Sequence, residues 1–302
     1  MSPRRSRAGS LAGAFGIGLV FPVAWLLAYL PARSGLAVGR LLGDVLWWLL
    51  PGRRRVALDN LRRALGHEQP PAALHRLGRR SFQHLGMNLV EGCRYFLRPT
   101  DVMLSRVQVE GGEQLKAAAA EGRGVLILTA HQGNWELLAA AHGLVGLPLS
   151  IVVRPLDHPL LDALAARFRS RSGAELIGKR QAVREMLAAL RRGRMVGVLL
   201  DQNATREEGV FVPFFGVLAS TSKGLALLAL RTGAPVLPVF LRREPDGGHC
   251  MEVGPPVPPP PDADVVAYTA RFNEVLEAAI RRAPEQWLWM HARWRTRPRE
   301  AA

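Results

Sequence analysis

The chain has 302 residues, enough for one large α/β domain or two small ones with a substantial buried core. Its 40 Lys and Arg against 25 Asp and Glu leave a formal charge of +15, which points to an anionic partner: nucleic acid, an acidic bilayer, or an acidic substrate or carrier. Cys93 and Cys250 lie far apart with no C-x-x-C pair, which excludes a disulfide framework and a zinc signature and suits a reducing compartment.

The amino terminus reads as a membrane element. Arg4, Arg5 and Arg7 precede Leu11–Leu30, which carries no charge and is long enough to cross a hydrocarbon core of about 30 Å as a helix. The run ends at Tyr29-Leu30-Pro31-Ala32-Arg33 without a small-x-small cleavage site, so retention as an anchor is expected. Leu36–Leu50 is shorter, contains Arg40 and Asp44, and carries Trp47-Trp48 near its end. It suits an interfacial amphipathic helix with the tryptophans at headgroup depth. Residues 1–52 thus form an expected membrane anchor and interfacial helix, and Arg53-Arg54-Arg55 beyond it suit anionic headgroups on the cytoplasmic face.

From Arg54 to Leu97 the apolar spacing is helical, with Gly66 and Pro70-Pro71 dividing two helices. After Val107 the pattern changes to strands alternating with helices. Strands are expected at Val125–Ala130, Leu149–Val153, Val196–Leu200, Val236–Leu241 and Met251–Val253, with helices over His158–Arg171 and Gln181–Arg192. This repetition predicts an α/β fold over residues 53–302, a central, largely parallel sheet flanked by helices. Gly254–Pro261 is a stiff connector, and Tyr268, Phe272, Val275, Leu276, Ala279 and Ile280 mark a last helix that packs back.

The best chemical lead is Gly124–Leu138, GVLILTAHQGNWELL. A continuous apolar run bounded by glycine reads as a strand buried on both faces, and loops at the carboxyl ends of such strands are where α/β proteins place ligands. His131 stands at that end, with Glu136 in the first turn of the next helix. On one continuous helix the two would point about 140° apart, but with a turn between them Glu136 can fold back toward the imidazole. A carboxylate on one ring nitrogen gives the neutral tautomer a general base needs. Gly133 lets the backbone approach a ligand, and amides at the helix start can hold an oxyanion or phosphate. A lone loop histidine beside a solvated glutamate fits these residues equally well.

His131-Gln132-Gly133-Asn134-Trp135-Glu136 is an H-x4-E box, and it resembles the box of glycerolipid-type acyltransferases, in its GNWE form that of the bacterial lipid A late (lauroyl/myristoyl) acyltransferase family. Arg154-Pro155 with Pro159–Asp162, Asp201-Gln202 with Gly209–Gly216, and Ala283–His291 followed by Arg293–Pro298 resemble the family's further blocks, in family order, across roughly residues 53 to 298. The resemblance implies acyl transfer from an acyl-carrier-protein thioester to a hydroxyl of a membrane glycolipid. His131 would be the general base and Glu136 would orient and stabilise its imidazolium. Arg169 and Asp201 match two further site residues by position, and Gly133, Asn134 and Arg154 join them as expected substrate-binding positions. No covalent acyl-enzyme is implied, in agreement with the absence of a G-x-S-x-G elbow, and neither a metal nor a cofactor beyond the acyl co-substrate. The implied partners are acyl carrier protein or acyl-CoA, membrane phospholipids, and a glycolipid acceptor. That acceptor is a lipid A precursor of the Kdo-lipid IVA type, or a phosphatidylinositol mannoside served by acyl-CoA. The implied location is the inner membrane.

Gly173–Lys179, GAELIGK, resembles a Walker A loop, but Arg180 stands where Ser or Thr would hold magnesium. Nothing resembles a nucleic-acid reader helix, so nucleic acid is not expected as a partner. Val210–Phe215, VFVPFF, fits an acyl groove, a bilayer contact or a core strand, and Trp287, Trp289 and Trp294 fit an interfacial anchor or tail packing.

Overall fold

Two periodicities divide the chain at Val107, and the structure, a computed structural model, follows both. It describes residues 22–153, 169–178 and 182–298. After a helix over 22–29 come α1 (Ala32–Leu49), α2 (Pro51–Leu65), α3 (Pro71–Leu97) and the short α4 (Thr100–Leu104). Prolines open α2 and α3, where a missing N–H costs nothing. The remainder runs β1 (Val107–Glu110), α5 (Gly112–Ala120), β2 (Val125–Thr129), α6 (Trp135–Val145), β3 (Leu149–Val153), β4 (Glu175–Gly178), α7 (Ala182–Arg191), β5 (Met195–Leu199), β6 (Gly209–Phe214), β7 (Val217–Ser222), α8 (Gly224–Thr232), β8 (Val236–Arg243), β9 (His249–Val253) and α9 (Val265–Arg282).

Seven strands form one sheet in the order β1-β9-β8-β2-β5-β3-β4, and β6 and β7 form a separate hairpin. Every pairing in the large sheet is parallel except β8 with β9. β2 lies at the centre, and all five of its residues are buried. Leu126 and Leu128 face a core shared with α2, α8, α9 and the tryptophans of the carboxyl-terminal tail. Val125 and Ile127 face a second core with α5 and α6. The alternation along one strand thus supplies both layers.

In α1, Gly35, Gly39, Gly43 and Trp47 recur every four residues and are buried. A Cβ on Gly43 would lie 2.3 Å from Gln83 Cα, and one on Gly86 would lie 2.1 Å from Gly39 O, so α1 and α3 touch backbone to backbone. Val38, Leu41, Val45, Trp48 and Leu49 face out from the rest of the helix.

Some expectations are corrected, and others fall outside the described residues. Among the described residues no helix is long and apolar enough to cross a membrane. Of Leu11–Leu30, residues 11–21 lie outside the described residues, and what is described is the short helix over 22–29. Trp47 does not sit beside Trp48 at a surface: it is 1% exposed, edge-on to Phe82, whereas Trp48 is 71% exposed. The helix expected over His158–Arg171 lies outside the described residues except for its last turn. Strands β1, β4 and β7 were not anticipated: β4 occupies the GAELIG segment, and VFVPFF, which fitted a core strand among other readings, forms β6 and pairs with Val217–Ser222.

Candidate active site

His131 lies just beyond the carboxyl end of β2, and Asp201 just beyond that of β5. The register pairs Thr129 with Leu199 and Leu200 donates to the Thr129 carbonyl at 3.0 Å, so continuing both strands sets residue 131 beside residue 201. His131 Nδ1 is 2.8 Å from Asp201 Oδ1, and the His131 amide donates to Asp201 Oδ2 at 3.0 Å. Trp287 Nε1 donates to the same Oδ2 at 2.8 Å. The Asp201 side chain is 3% exposed and that of His131 16%, so the ring opens outward while its partner is enclosed. On the outer edge, Gln202 Nε2 lies 3.3 Å from His131 Nε2, and Trp135 packs edge-on at 5.2 Å between ring centroids.

Charge follows from this geometry. Burial alone would lower the His131 pKa, but the Asp201 carboxylate, its hydrogen bond and the negative field of Glu136 outweigh it, so the imidazole titrates above an ordinary histidine. Burial alone would raise the Asp201 carboxyl. The imidazolium and the donors from His131 and Trp287 hold it below the usual carboxylate range. With Asp201 ionised, neutral His131 keeps its proton on Nδ1 and offers the Nε2 lone pair outward.

Glu136 does not take the place expected of it. Nδ1 is occupied by Asp201, and Glu136 instead receives a two-pronged hydrogen bond from Arg169, at 2.8 Å from Nη2 and 3.1 Å from Nε. Its first-turn position on α6 directs it past the imidazole, where it acts through its field. Gly133 and Asn134 are likewise spent on structure. Gly133 takes φ 62°, and a Cβ there would lie 1.6 Å from Leu241 O. The Gly133 and Asn134 amides donate to Gln286 O and Leu241 O, so they hold the turn rather than a ligand. Asn134 caps α6 by accepting from the Leu137 amide at 3.1 Å, and its Nδ2 donates to Glu91 at 2.7 Å. Arg154 lies outside the described residues.

The tail completes the site. Leu288 donates to the His131 carbonyl, and Gln132 bridges to Trp287. Asn60 of α2 binds the Trp289 and His291 carbonyls at 2.7 and 2.6 Å, and His291 Nε2 accepts from the Asn203 amide at 3.0 Å. The tryptophans expected as an anchor or as packing are packing: Trp287 and Trp289 are buried, edge-on to one another. Trp287 as the donor to Asp201, and Asn88, Glu91, Arg243 and Gln286 around the turn, escaped the sequence reading. A charged Arg243 closing an apolar strand was the available signal.

The family description that matches residues 3–296 is bacterial lipid A biosynthesis acyltransferase. The chain is 32% identical over 285 residues to a lipid A biosynthesis lauroyltransferase of Escherichia coli (strain K12), covering 94% of this chain and 91% of that one. It is 32% identical over 286 residues to the lipid A biosynthesis palmitoleoyltransferase of the same organism, with the same coverage. A phosphatidylinositol mannoside acyltransferase of Mycolicibacterium smegmatis is 28% identical over 190 residues, 60% of each chain.

Proposed function

This chain belongs to the bacterial lipid A biosynthesis acyltransferase family, and from that premise we propose that it moves a fatty acyl chain from an acyl-carrier-protein thioester to a hydroxyl of a lipid A precursor. The observation that carries the mechanism is the enclosed carboxylate of Asp201, 2.8 Å from Nδ1 of an imidazole whose other nitrogen faces out. His131 Nε2 takes the proton of the acceptor hydroxyl as that oxygen attacks the thioester carbonyl. The C–O bond forms, the C–S bond breaks, and the imidazolium returns its proton to the departing thiolate. Asp201 stabilises the imidazolium through contact and Glu136 through its field. Arg169, held in a fork by Glu136, presents a guanidinium to a phosphate of the glycolipid or to the developing oxyanion.

The lipid A acceptor is preferred to a phosphatidylinositol mannoside because the two Escherichia coli lipid A relatives match 94% of the chain and the Mycolicibacterium mannoside enzyme 60%. The outward face of α1, Leu41, Val45, Trp48 and Leu49, with Arg54 stacked 5.5 Å from the Trp48 ring, suits a bilayer surface carrying anionic headgroups. On this reading the enzyme works at the cytoplasmic face of the inner membrane. Mass spectrometry of the glycolipid fraction, with the gene present, deleted, or carrying His131→Ala, tests the reaction. The deletion and His131→Ala should both lack one acyl chain on the lipid A precursor. A deletion strain with unchanged lipid A, or full acylation by His131→Ala, would sink this reading, and a change confined to inositol mannosides would reassign the acceptor.

A further inference from the structure

Behind the catalytic turn lies a buried charged cluster that the reaction does not use. Glu91 of α3 and Arg243 at the end of β8 are both enclosed, their side chains 8% and 6% exposed, and Arg243 makes a two-pronged pair with the carboxylate, Nη2 lying 2.7 Å from Oε2. His84 Nε2 is 3.4 Å from Arg243 Nε, and His249 Nε2 is 3.4 Å from Glu91 Oε2. Taking two charges out of water is expensive, and apolar residues of similar volume usually stabilise such a site as well or better. Stability is therefore a weak explanation for the pair.

Its contacts supply a better one. Asn134 donates to Glu91 Oε2 while its own oxygen caps α6. Asn88 accepts from Arg243 Nη2 at 2.8 Å and donates to the Gly133 carbonyl at 2.8 Å. From the other side, Gln286 closes on Arg243 twice, accepting from its amide at 2.8 Å and donating to its carbonyl at 2.9 Å, while the Gln286 carbonyl takes the Gly133 amide. Both residues of the turn between Gln132 and Trp135 are thus tied to the ion pair.

We propose that Asn88, Glu91 and Arg243 are positioning residues for acyl transfer: their network sets Gly133 and Asn134, and through them the His131 ring on one side of the turn and Glu136, facing Arg169, on the other. The assignment rests on the reaction proposed above. Burial and the neighbouring Arg243 push His84 down to about 3, so it stays neutral, and Arg243 and His249 keep Glu91 ionised against its burial. Neither His84 nor Glu91 therefore changes charge near neutral pH. The brace is also stiff, because the face of α3 one turn earlier is locked to α1 at Gly39 and Gly43. Moving the turn would mean moving α3, and a shift of about 1 Å in a reacting group can cost a hundredfold in rate.

Asn88→Ala tests this, because Asn88 is only partly buried and touches the turn without being a buried charge. The full chain in phospholipid–detergent micelles is compared with wild type by thermal melting, by kcat and KM for both substrates, and by ¹⁵N resonances of selectively labelled histidines. His131 is assigned from its loss in His131→Gln. The variant should fold but melt a few degrees lower, since Arg243 loses an acceptor, keep both KM values within about threefold and lose roughly tenfold to a hundredfold in kcat. Its His131 resonance should move. A lowered melting temperature with wild-type kcat and an unmoved His131 resonance would make the network merely structural and overturn the assignment. Asn88→Ser, whose side chain is too short to span the contacts to the Gly133 carbonyl and Arg243, is read in the same way should Asn88→Ala not fold. If wild type transfers no acyl chain, the reaction is wrong, and the His131 resonance alone then decides whether the brace sets the ring.

Discussion

Asp201→Asn is the sharpest test of the site because it changes charge and tautomer with almost no change of shape. Asp201 Oδ2 accepts two hydrogen bonds, from the His131 amide and Trp287 Nε1, whereas Oδ1 meets only His131 Nδ1. An asparagine keeps both backbone-side and indole donors satisfied only if its oxygen takes the Oδ2 place. Its NH2 then faces Nδ1, the ring proton moves to Nε2, and the outward nitrogen can no longer accept a proton. The charge is lost as well. For unit charges about 4 Å apart at an effective dielectric constant of about 20, that is about 4 kcal/mol withdrawn from the imidazolium formed in the transition state. With a tenfold change in rate for each 1.36 kcal/mol or so, kcat should fall about a thousandfold or more. Both KM values should change far less than kcat, since the shape of the substrate-facing surface is kept and only the protonation of Nε2 differs. Transfer of a labelled acyl chain from acyl carrier protein to a lipid A precursor in mixed micelles measures both constants, with melting by circular dichroism as the control. A folded Asp201→Asn enzyme that keeps more than about a tenth of the wild-type kcat would refute the reasoning.

In wild type, kcat/KM should rise with pH through a midpoint above the ordinary histidine value of 6.5, because only the neutral ring is a base and its pKa is raised. Glu136→Gln should move that midpoint toward lower pH, since Glu136 raises the His131 pKa; an unmoved or raised midpoint in the pH–rate profile would contradict the field assigned to it. Trp287→Phe keeps the packing against Trp289 but removes one donor to a buried carboxylate, so the melting free energy should fall by about 1.5–3 kcal/mol while kcat falls far less than in Asp201→Asn. Gly133→Ala places a methyl group 1.6 Å from Leu241 O at a positive φ and should cost more than about 4 kcal/mol, read as loss of folded protein on expression. Trp48→Ala with Leu41→Ser should weaken flotation with anionic phosphatidylglycerol vesicles and leave the melting temperature unchanged, because both side chains face out from the helix pair.

The parallel core was legible because strands buried on both faces are continuous apolar runs: β2, β3, β5 and β8 lie within a residue or two of where Val125, Leu149, Val196 and Val236 announced them. The missed strands lack that signature. β1 is a short alternating VQVE and β4 a short ELIG at the far edge of the sheet. The β6–β7 hairpin is concealed by Pro213 and by its turn, in which Phe215 and Gly216 both take positive φ, at 51° and 72°. Glycine at such a position advertises a turn, whereas phenylalanine does not. The site was half legible for a related reason. His131 and Glu136 sit in one local motif, so their proximity could be argued from spacing. The carboxylate that holds the ring is 70 residues away and arrives through the β2–β5 register, which no local pattern encodes. Asp201 and Arg169 were singled out through the resemblance, and the fold redistributes their parts: Asp201 holds the imidazole and Arg169 holds Glu136.

The strand order also explains which side of His131 is left for substrates. From β2 the chain turns toward β3 and β4, comes back to β5, and later reaches β8 on the opposite flank. The carboxyl ends of β2 and β8 therefore border the switch point at which such sheets usually take ligands. Here that half is filled by the chain itself. Gly133 bridges to Leu241, Gln132 to Trp287, and Gln286 closes on the Arg243 backbone. A ligand entering there would have to break buried, paired backbone groups, a steep cost for each one left unsatisfied. The β5 half carries the exposed features: His131 Nε2 with Gln202 beside it, and the partly exposed Glu136–Arg169 pair. By occupying one half of the switch point, the tail turns the outward nitrogen of His131 toward the other, the side that carries the Glu136–Arg169 pair.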